Sequence, residues 1–123
     1  MKTLKIVALQ NTPREREECC TKTKIQWLIT TEIGAQNTAR LFKMDSGGYS
    51  SLHKHAWEHI VYVLDGEGLV FDGVKTCLIK TGDSVFVASN ELHQFQNNSQ
   101  KTLYIYLYRT IRQRITCLPS EVL

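Results

Sequence analysis

The chain contains four histidines, and all of them stand at spacings that suit metal ligation. His53, His55 and His59 fall in Ser51-Leu-His53-Lys-His55-Ala-Trp57-Glu58-His59-Ile-Val-Tyr62, and His93 falls in Asn90-Glu-Leu-His93-Gln-Phe95-Gln-Asn97. Imidazole is the commonest protein ligand for transition metals. A lone His-x-His would read as exposed surface, but here no histidine is left over for the surface. His53 and His55 are two apart, so on a strand both rings leave the same face. His59 keeps that parity and would meet the same site if the chain stays extended or turns with an even offset. His93 must arrive from elsewhere, which a closed sheet arranges. Each nitrogen would need to sit about 2.0–2.2 Å from the ion.

The elements that must position these rings read as short strands. Lys24-Ile-Gln-Trp-Leu-Ile-Thr-Thr31 is rich in β-branched and aromatic residues, and so is expected to be a strand. Gly34 to Thr38 is expected to turn. Ala39–Met44 forms the next strand, and Asp45-Ser-Gly-Gly48 the next turn. His59–Leu64, Leu69–Phe71, Lys75–Ile79, Ser84–Ala88, His93–Asn97 and Thr102–Tyr108 follow, with turn signals at Asp65–Gly68, Asp72-Gly73 and Thr81–Asp83. A further short strand is expected at Lys5–Leu9. Many short strands punctuated by Gly, Asn and Asp predict an all-β sandwich or barrel. No long segment has helical period.

Composition narrows the function classes. A chain of 123 residues is one domain, long enough for a hydrophobic core. The net charge of +3 is mild and spread along the chain. The densest basic run, Arg109-Thr-Ile-Arg112-Gln-Arg114, lacks interleaved aromatics and reads as a solvated tail rather than a nucleic-acid surface. The N-terminal apolar stretch is too short and interrupted for a signal peptide, and no segment reaches the length of a membrane span. A cytoplasmic location is therefore expected. Cys19, Cys20, Cys77 and Cys117 show no Cys-x-x-Cys spacing and read as free thiols in a reducing compartment. No Ser/His/Asp order or phosphate-binding glycine loop is present.

Gly47-Gly-Tyr-Ser-Ser-Leu-His53-Lys-His55-Ala-Trp-Glu-His59-Ile-Val-Tyr-Val-Leu-Asp-Gly66 resembles the first sequence motif of the cupins. Gly82-Asp-Ser-Val-Phe-Val-Ala88-Ser-Asn90-Glu-Leu-His93-Gln-Phe-Gln-Asn97 resembles the second, with Ala88 and Asn90 in place of the usual proline and glycine. Counting back from Gly66 puts His59 where the family usually has glutamate. Glu58 is the competing candidate, but strand parity turns it the other way. The resemblance implies a double-stranded β-helix, the jelly-roll or cupin barrel, at 25–108. An N-terminal arm at 1–24 would serve as a dimer contact, and a tail would follow at 109–123. The site resembles that of the small all-histidine cupins, often manganese proteins, which implies His53, His55, His59 and His93 as ligands and a homodimer as the assembly.

Four neutral ligands would leave a divalent ion with a charge of about plus two, against about plus one with a glutamate. Such an ion is a stronger Lewis acid and attracts anionic ligands. One or two coordination positions stay open for water, substrate or dioxygen. Ligand type alone admits iron(II), nickel(II), zinc(II) and copper(II), and only the resemblance puts manganese(II) first. Parity suggests Val61, Val63, Phe95, Ile105 and Leu107 as cavity walls. Asn97 shares the parity of His93. Leu103, Ile105 and Leu107 are expected inside and Tyr104, Tyr106 and Tyr108 outside, where hydroxyls find partners. Arg40 is either an exposed strand arginine or a pocket residue that holds a substrate carboxylate. Trp57 either caps the mouth or joins the core. Two functions follow. One is a metal-dependent oxidoreductase or dioxygenase on a small organic ligand, with isomerase and decarboxylase chemistry behind it. The other is a non-catalytic module that binds a small molecule or metal. Neither involves nucleic acid or a membrane.

Overall fold

The structure is a computed structural model that describes residues 4–8, 14–15, 20–30 and 33–110. Nine strands run through it: β1 (Arg14–Glu15), β2 (Thr21–Ile29), β3 (Asn37–Tyr49), β4 (His59–Asp65), β5 (Glu67–Phe71), β6 (Thr76–Lys80), β7 (Ser84–Val87), β8 (Gln94–Gln96) and β9 (Leu103–Thr110). No α-helix occurs among the described residues, and none is long and apolar enough to cross a membrane. The sheet order is β6-β5-β8-β3-β9-β4-β7, with β2 on β3 and β1 on β2. Every named pairing is antiparallel. Ile79 of β6, at one end of that order, shares a core with Val61, Val63 and Val87 of β4 and β7 at the other. The sheet is therefore rolled on itself, and the fold is the all-β jelly roll.

Side chains alternate across each strand, and the pairing stacks the inward residues into tiers. Met44 lies opposite Leu103, and Phe42 opposite Ile105, itself opposite Val63. Arg40 follows opposite Leu107, itself opposite Val61, then Thr38 opposite Arg109, itself opposite His59. The first tiers are fully apolar and closed to solvent. Burying them is worth about 25 cal/mol per Å², which makes them the plug on which the polar tiers rest. Leu103, Ile105 and Leu107 face inward, while Tyr104, Tyr106 and Tyr108 are half-buried on the other face.

Two expectations fail away from the histidines. Asp45-Ser-Gly-Gly48 does not end the third strand, because β3 runs on to Tyr49. Between Thr23↔Met44 and Thr21↔Tyr49 the register jumps, so these residues form an irregularity inside the strand. Gly47 has φ +81, and a Cβ on Gly48 would lie 2.9 Å from the carbonyl oxygen of Thr21. The glycines thus bend β3 off β2 and onto β8, where Gly47 N–H donates to Asn97 O and Asn97 N–H to Gly48 O, both at 2.9 Å. The other failure is Lys5–Leu9. Residues 4–8 lie outside any strand and meet the barrel through Lys5 Nζ, which donates to Ile33 O at 2.6 Å; Leu9 lies outside the described residues. So do much of the expected dimer arm, the tail from 111, Cys19 and Cys117. Cys77 is an exposed free thiol, and Cys20 is half-buried.

Asn97 does not line the cavity. Its amide donates to Met44 O and Lys101 O, and its oxygen accepts from the Ser99 backbone and hydroxyl. It clamps the turn before β9. Asp72 closes the β5–β6 hairpin by accepting the N–H groups of Val74 and Lys75. Those bonds hold its carboxyl below the usual range.

Gly66 turns β4 into β5 at φ +100, and a Cβ there would lie 2.7 Å from Thr102 O and 3.1 Å from Leu103 Cα. Gly82 has φ +93 with nothing within 4 Å. Gly82→Ala should cost about 1 kcal/mol, the left-handed backbone alone, and Gly66→Ala about 2 kcal/mol or more. Urea denaturation midpoints measure both, and equal losses would contradict the backbone contact at Gly66.

Candidate metal centre

The polar end of the barrel gathers the histidines through three different devices. His53 and His93 face each other in an isolated antiparallel bridge, His53 N–H donating to His93 O at 3.2 Å and His93 N–H to His53 O at 3.1 Å. His59 opens β4 and is held between Val87 and Arg109 by backbone pairing. His55 sits in the connection between them. The expected strand through His53 and His55 is absent, since residues 54–58 lie outside any strand. The loop is tied instead by Asn90, whose N–H donates to His55 O. Asn90 holds φ +62, a left-handed backbone that asparagine tolerates better than most residues. That explains how it can replace the usual glycine.

Ring positions are close. Centroid separations are 4.2 Å for His53–His55, 5.3 Å for His53–His93, 5.0 Å for His55–His93, 4.8 Å for His55–His59 and 5.4 Å for His59–His93. One nitrogen each of His53, His55 and His93 lies within 4.8 Å of the others. The donor chemistry fits a cation. His93 Nδ1 bonds Glu91 O at 2.9 Å, and His53 Nδ1 makes a short bond to Ser51 Oγ. Those bonds turn the two Nε2 atoms inward, the usual orienting device behind a ligating histidine. His53 Nε2 and His55 Nε2 stand 3.1 Å apart. Two neutral nitrogen lone pairs repel at that distance unless a proton or a cation lies between them. His59 is arranged differently: its Nε2 accepts the Trp57 indole N–H at 3.0 Å, and its buried Nδ1 has no hydrogen-bond partner.

The surrounding cavity has a volume of about 240 Å³ and is walled by the four histidines with Arg40, Phe42, Ser50, Phe95, Leu107, Arg109 and Cys20. Arg40, Phe95 and Leu107 are thus at the wall. Val61, Val63 and Ile105 lie below it in the apolar plug, each fully buried. The Arg40 guanidinium lies 5.0 Å from the ring centres of both Trp27 and Phe42. Arg109 lies 4.5 Å over Trp57, whose other face stacks on His55 at 4.7 Å and 12°. Trp57 therefore belongs to the site rather than to the core cluster. Arg109 was assigned to a solvated tail, yet β9 continues to Thr110 and turns its side chain inward. Its parity with Leu103, Ile105 and Leu107 was the signal that would have found it.

No carboxylate lies among the described wall residues, which bring two arginines to the cavity. Burial, followed by the neighbouring histidines and arginines, pushes the His59 pKa down to about 3 and that of His55 down to about 4. Both imidazoles are neutral near pH 7 and ready to donate a lone pair.

The geometry describes a small antiparallel barrel with a histidine cluster at one mouth. The cupin domain family matches residues 40–108, more than half of the chain, and the chain belongs to that family. A protein from Thermotoga maritima described as oxalate-binding is 42% identical over 79 residues. The match covers 61% of this chain and 65% of that protein, just under two thirds of its length. Among solved structures, the polyketide cyclase RemF of Streptomyces resistomycificus superposes with a TM-score of 0.80 at 25% identity, covering 96% of this chain and 89% of the other. A predicted oxalate decarboxylase from Thermotoga maritima gives 0.78 at 25% identity, over 88% and 100%.

A histidine with a lowered folded-state pKa binds fewer protons folded than unfolded, so stability rises with pH between the two values. Chelator-treated protein should be unaffected above about pH 6.5 and lose stability as the pH falls from there through about 4 and then about 3. His59→Gln should make that profile shallower below about pH 6.5 and remove its last part, between about 4 and 3. Denaturant titrations between pH 7 and 3 measure it, and a flat wild-type curve would contradict neutral buried imidazoles.

Proposed function

We propose that the chain holds a divalent metal through His53, His55, His59 and His93 and binds a small carboxylate, with a dicarboxylate such as oxalate the first choice. The observation that carries this reading is the meeting of converging imidazole nitrogens and two guanidinium groups in one small cavity whose described wall residues include no acid. An ion with open coordination positions supplies Lewis-acid or redox chemistry when bound. The protein's own share is distinct. The histidines present neutral donors, and Ser51 and Glu91 fix two of the rings. Arg40 and Arg109 stand where charge-assisted hydrogen bonds can orient an anion. Phe42, Phe95 and Leu107 keep the floor dry, which strengthens those interactions. Manganese(II) is the preferred ion; iron(II), nickel(II), zinc(II) and copper(II) suit the same donors.

A metal-dependent oxidoreductase of dioxygenase or carboxylate-cleaving type is the first functional reading. The second, a binding module without turnover, is favoured by one observation: the described wall residues include no carboxylate to shuttle a proton. Titration of oxalate into metal-stripped and Mn(II)-loaded protein, followed by oxygen uptake and carbon dioxide release, separates them. Binding should require metal and weaken about 10- to 100-fold in Arg40→Gln or Arg109→Gln, the size of a charge-assisted bond. Oxalate that fails to bind the loaded protein would sink the carboxylate reading. Binding without gas exchange would select the module.

The assembly proposed with this function is a homodimer. Ile60, Tyr62, Leu64 and Phe86 are each more than two-fifths exposed on the outer face of β4 and β7, with Ile60 and Phe86 direct partners. An apolar face of that kind suits a second copy. Sedimentation should give a dimer at micromolar concentration and a monomer for Phe86→Glu; a monomeric wild type would remove this part of the proposal.

A further inference from the structure

Trp57 makes three contacts at the histidine cluster. Its ring lies between the Arg109 guanidinium at 4.5 Å and the His55 imidazole at 4.7 Å, and its indole N–H donates to His59 Nε2 at 3.0 Å. An imidazole nitrogen has one lone pair. While Nε2 accepts from Trp57, it cannot bind a cation. A neutral His59 that accepts at Nε2 carries its proton on Nδ1, which is the buried atom without a hydrogen-bond partner. That tautomer is also the one needed for ligation through Nε2, and the one that the Ser51 and Glu91 bonds permit at His53 and His93. The indole therefore occupies the place on His59 that a cation would take, and keeps the ring ready for the exchange. One nitrogen each of His53, His55 and His93 already converges within 4.8 Å.

We propose that Trp57 is a positioning residue that controls the entry of His59 into the metal site. The cavity then has two ligand sets, a three-histidine set with His59 on Trp57 and a four-histidine set with the indole released. Arg109 lies on the far face of the same indole, so release of the N–H also reaches an arginine of the proposed anion site. Metal entry and anion binding are thereby joined through one side chain. This inference rests on the metal reading above, and the experiment separates the two failures.

The test uses the whole chain and zinc(II) as a diamagnetic probe. The two tryptophans give two indole N–H signals in a proton–nitrogen correlation spectrum, assigned with Trp27→Phe and Trp57→Phe. In chelator-treated protein the Trp57 signal should be downfield and protected from solvent exchange. Saturating zinc(II) should shift it upfield and remove the protection. Trp57→Phe keeps a ring against His55 and Arg109 but loses the competing donor. It should bind zinc(II) about three- to ten-fold more tightly, the worth of one ordinary hydrogen bond. Zinc(II) that binds the wild type while the Trp57 signal stays put overturns the inference and leaves the metal reading standing. Unchanged or weaker affinity in Trp57→Phe overturns it as well. Absence of any zinc(II) binding overturns both readings. If Trp57→Phe does not fold, the wild-type signal, assigned through Trp27→Phe, still decides.

Discussion

Two backbone hydrogen bonds between His53 and His93 join the halves of the site. They place side chains forty residues apart in sequence directly opposite each other, as a hydrogen-bonded antiparallel pair. Everything else in the cluster is arranged around that bridge. The floor below it is an apolar plug that cannot move without exposing core. The tie from Asn90 to the His55 carbonyl then brings a loop histidine over the pair, and the start of β4 supplies the remaining ring.

The electrostatics follow from this crowding. Four imidazoles and two guanidinium groups share a small, partly dry volume with no acid among its described wall residues. Charging His55 or His59 there is opposed by desolvation first and by like charges second, so both are held neutral. The same surroundings that repel protons favour anions and lone-pair donation. A site of this type stores unsatisfied electrostatic potential, visible in the close approach of the His53 and His55 nitrogens. Protein interiors tolerate that arrangement where a ligand answers it.

Much of the molecule was legible in the sequence. Alternating β-branched and aromatic residues located most of the strands, and the Asp72-Gly73 hairpin closed as its turn chemistry requires. The histidines were found by type and spacing. The errors have physical causes. Asp45-Ser-Gly-Gly48 carries every sign of a turn, but glycine serves equally well to bend a strand past a neighbouring carbonyl. The His-x-His spacing suggested a strand, although the rings are gathered by a bridge and a loop. Arg109 was missed because a basic run looks like solvent until the strand's register shows which face it takes.

The sequence by itself determined the histidine spacing, the strand periodicity and the excess of positive charge, because these depend on residue type and local spacing. Tertiary structure alone decided which arginines share the cavity and which hydrophobic residues fall below it. It also decided what Trp57 touches. Those outcomes depend on register between strands distant in the chain, and a shift of one residue would turn every one of these side chains to the opposite face.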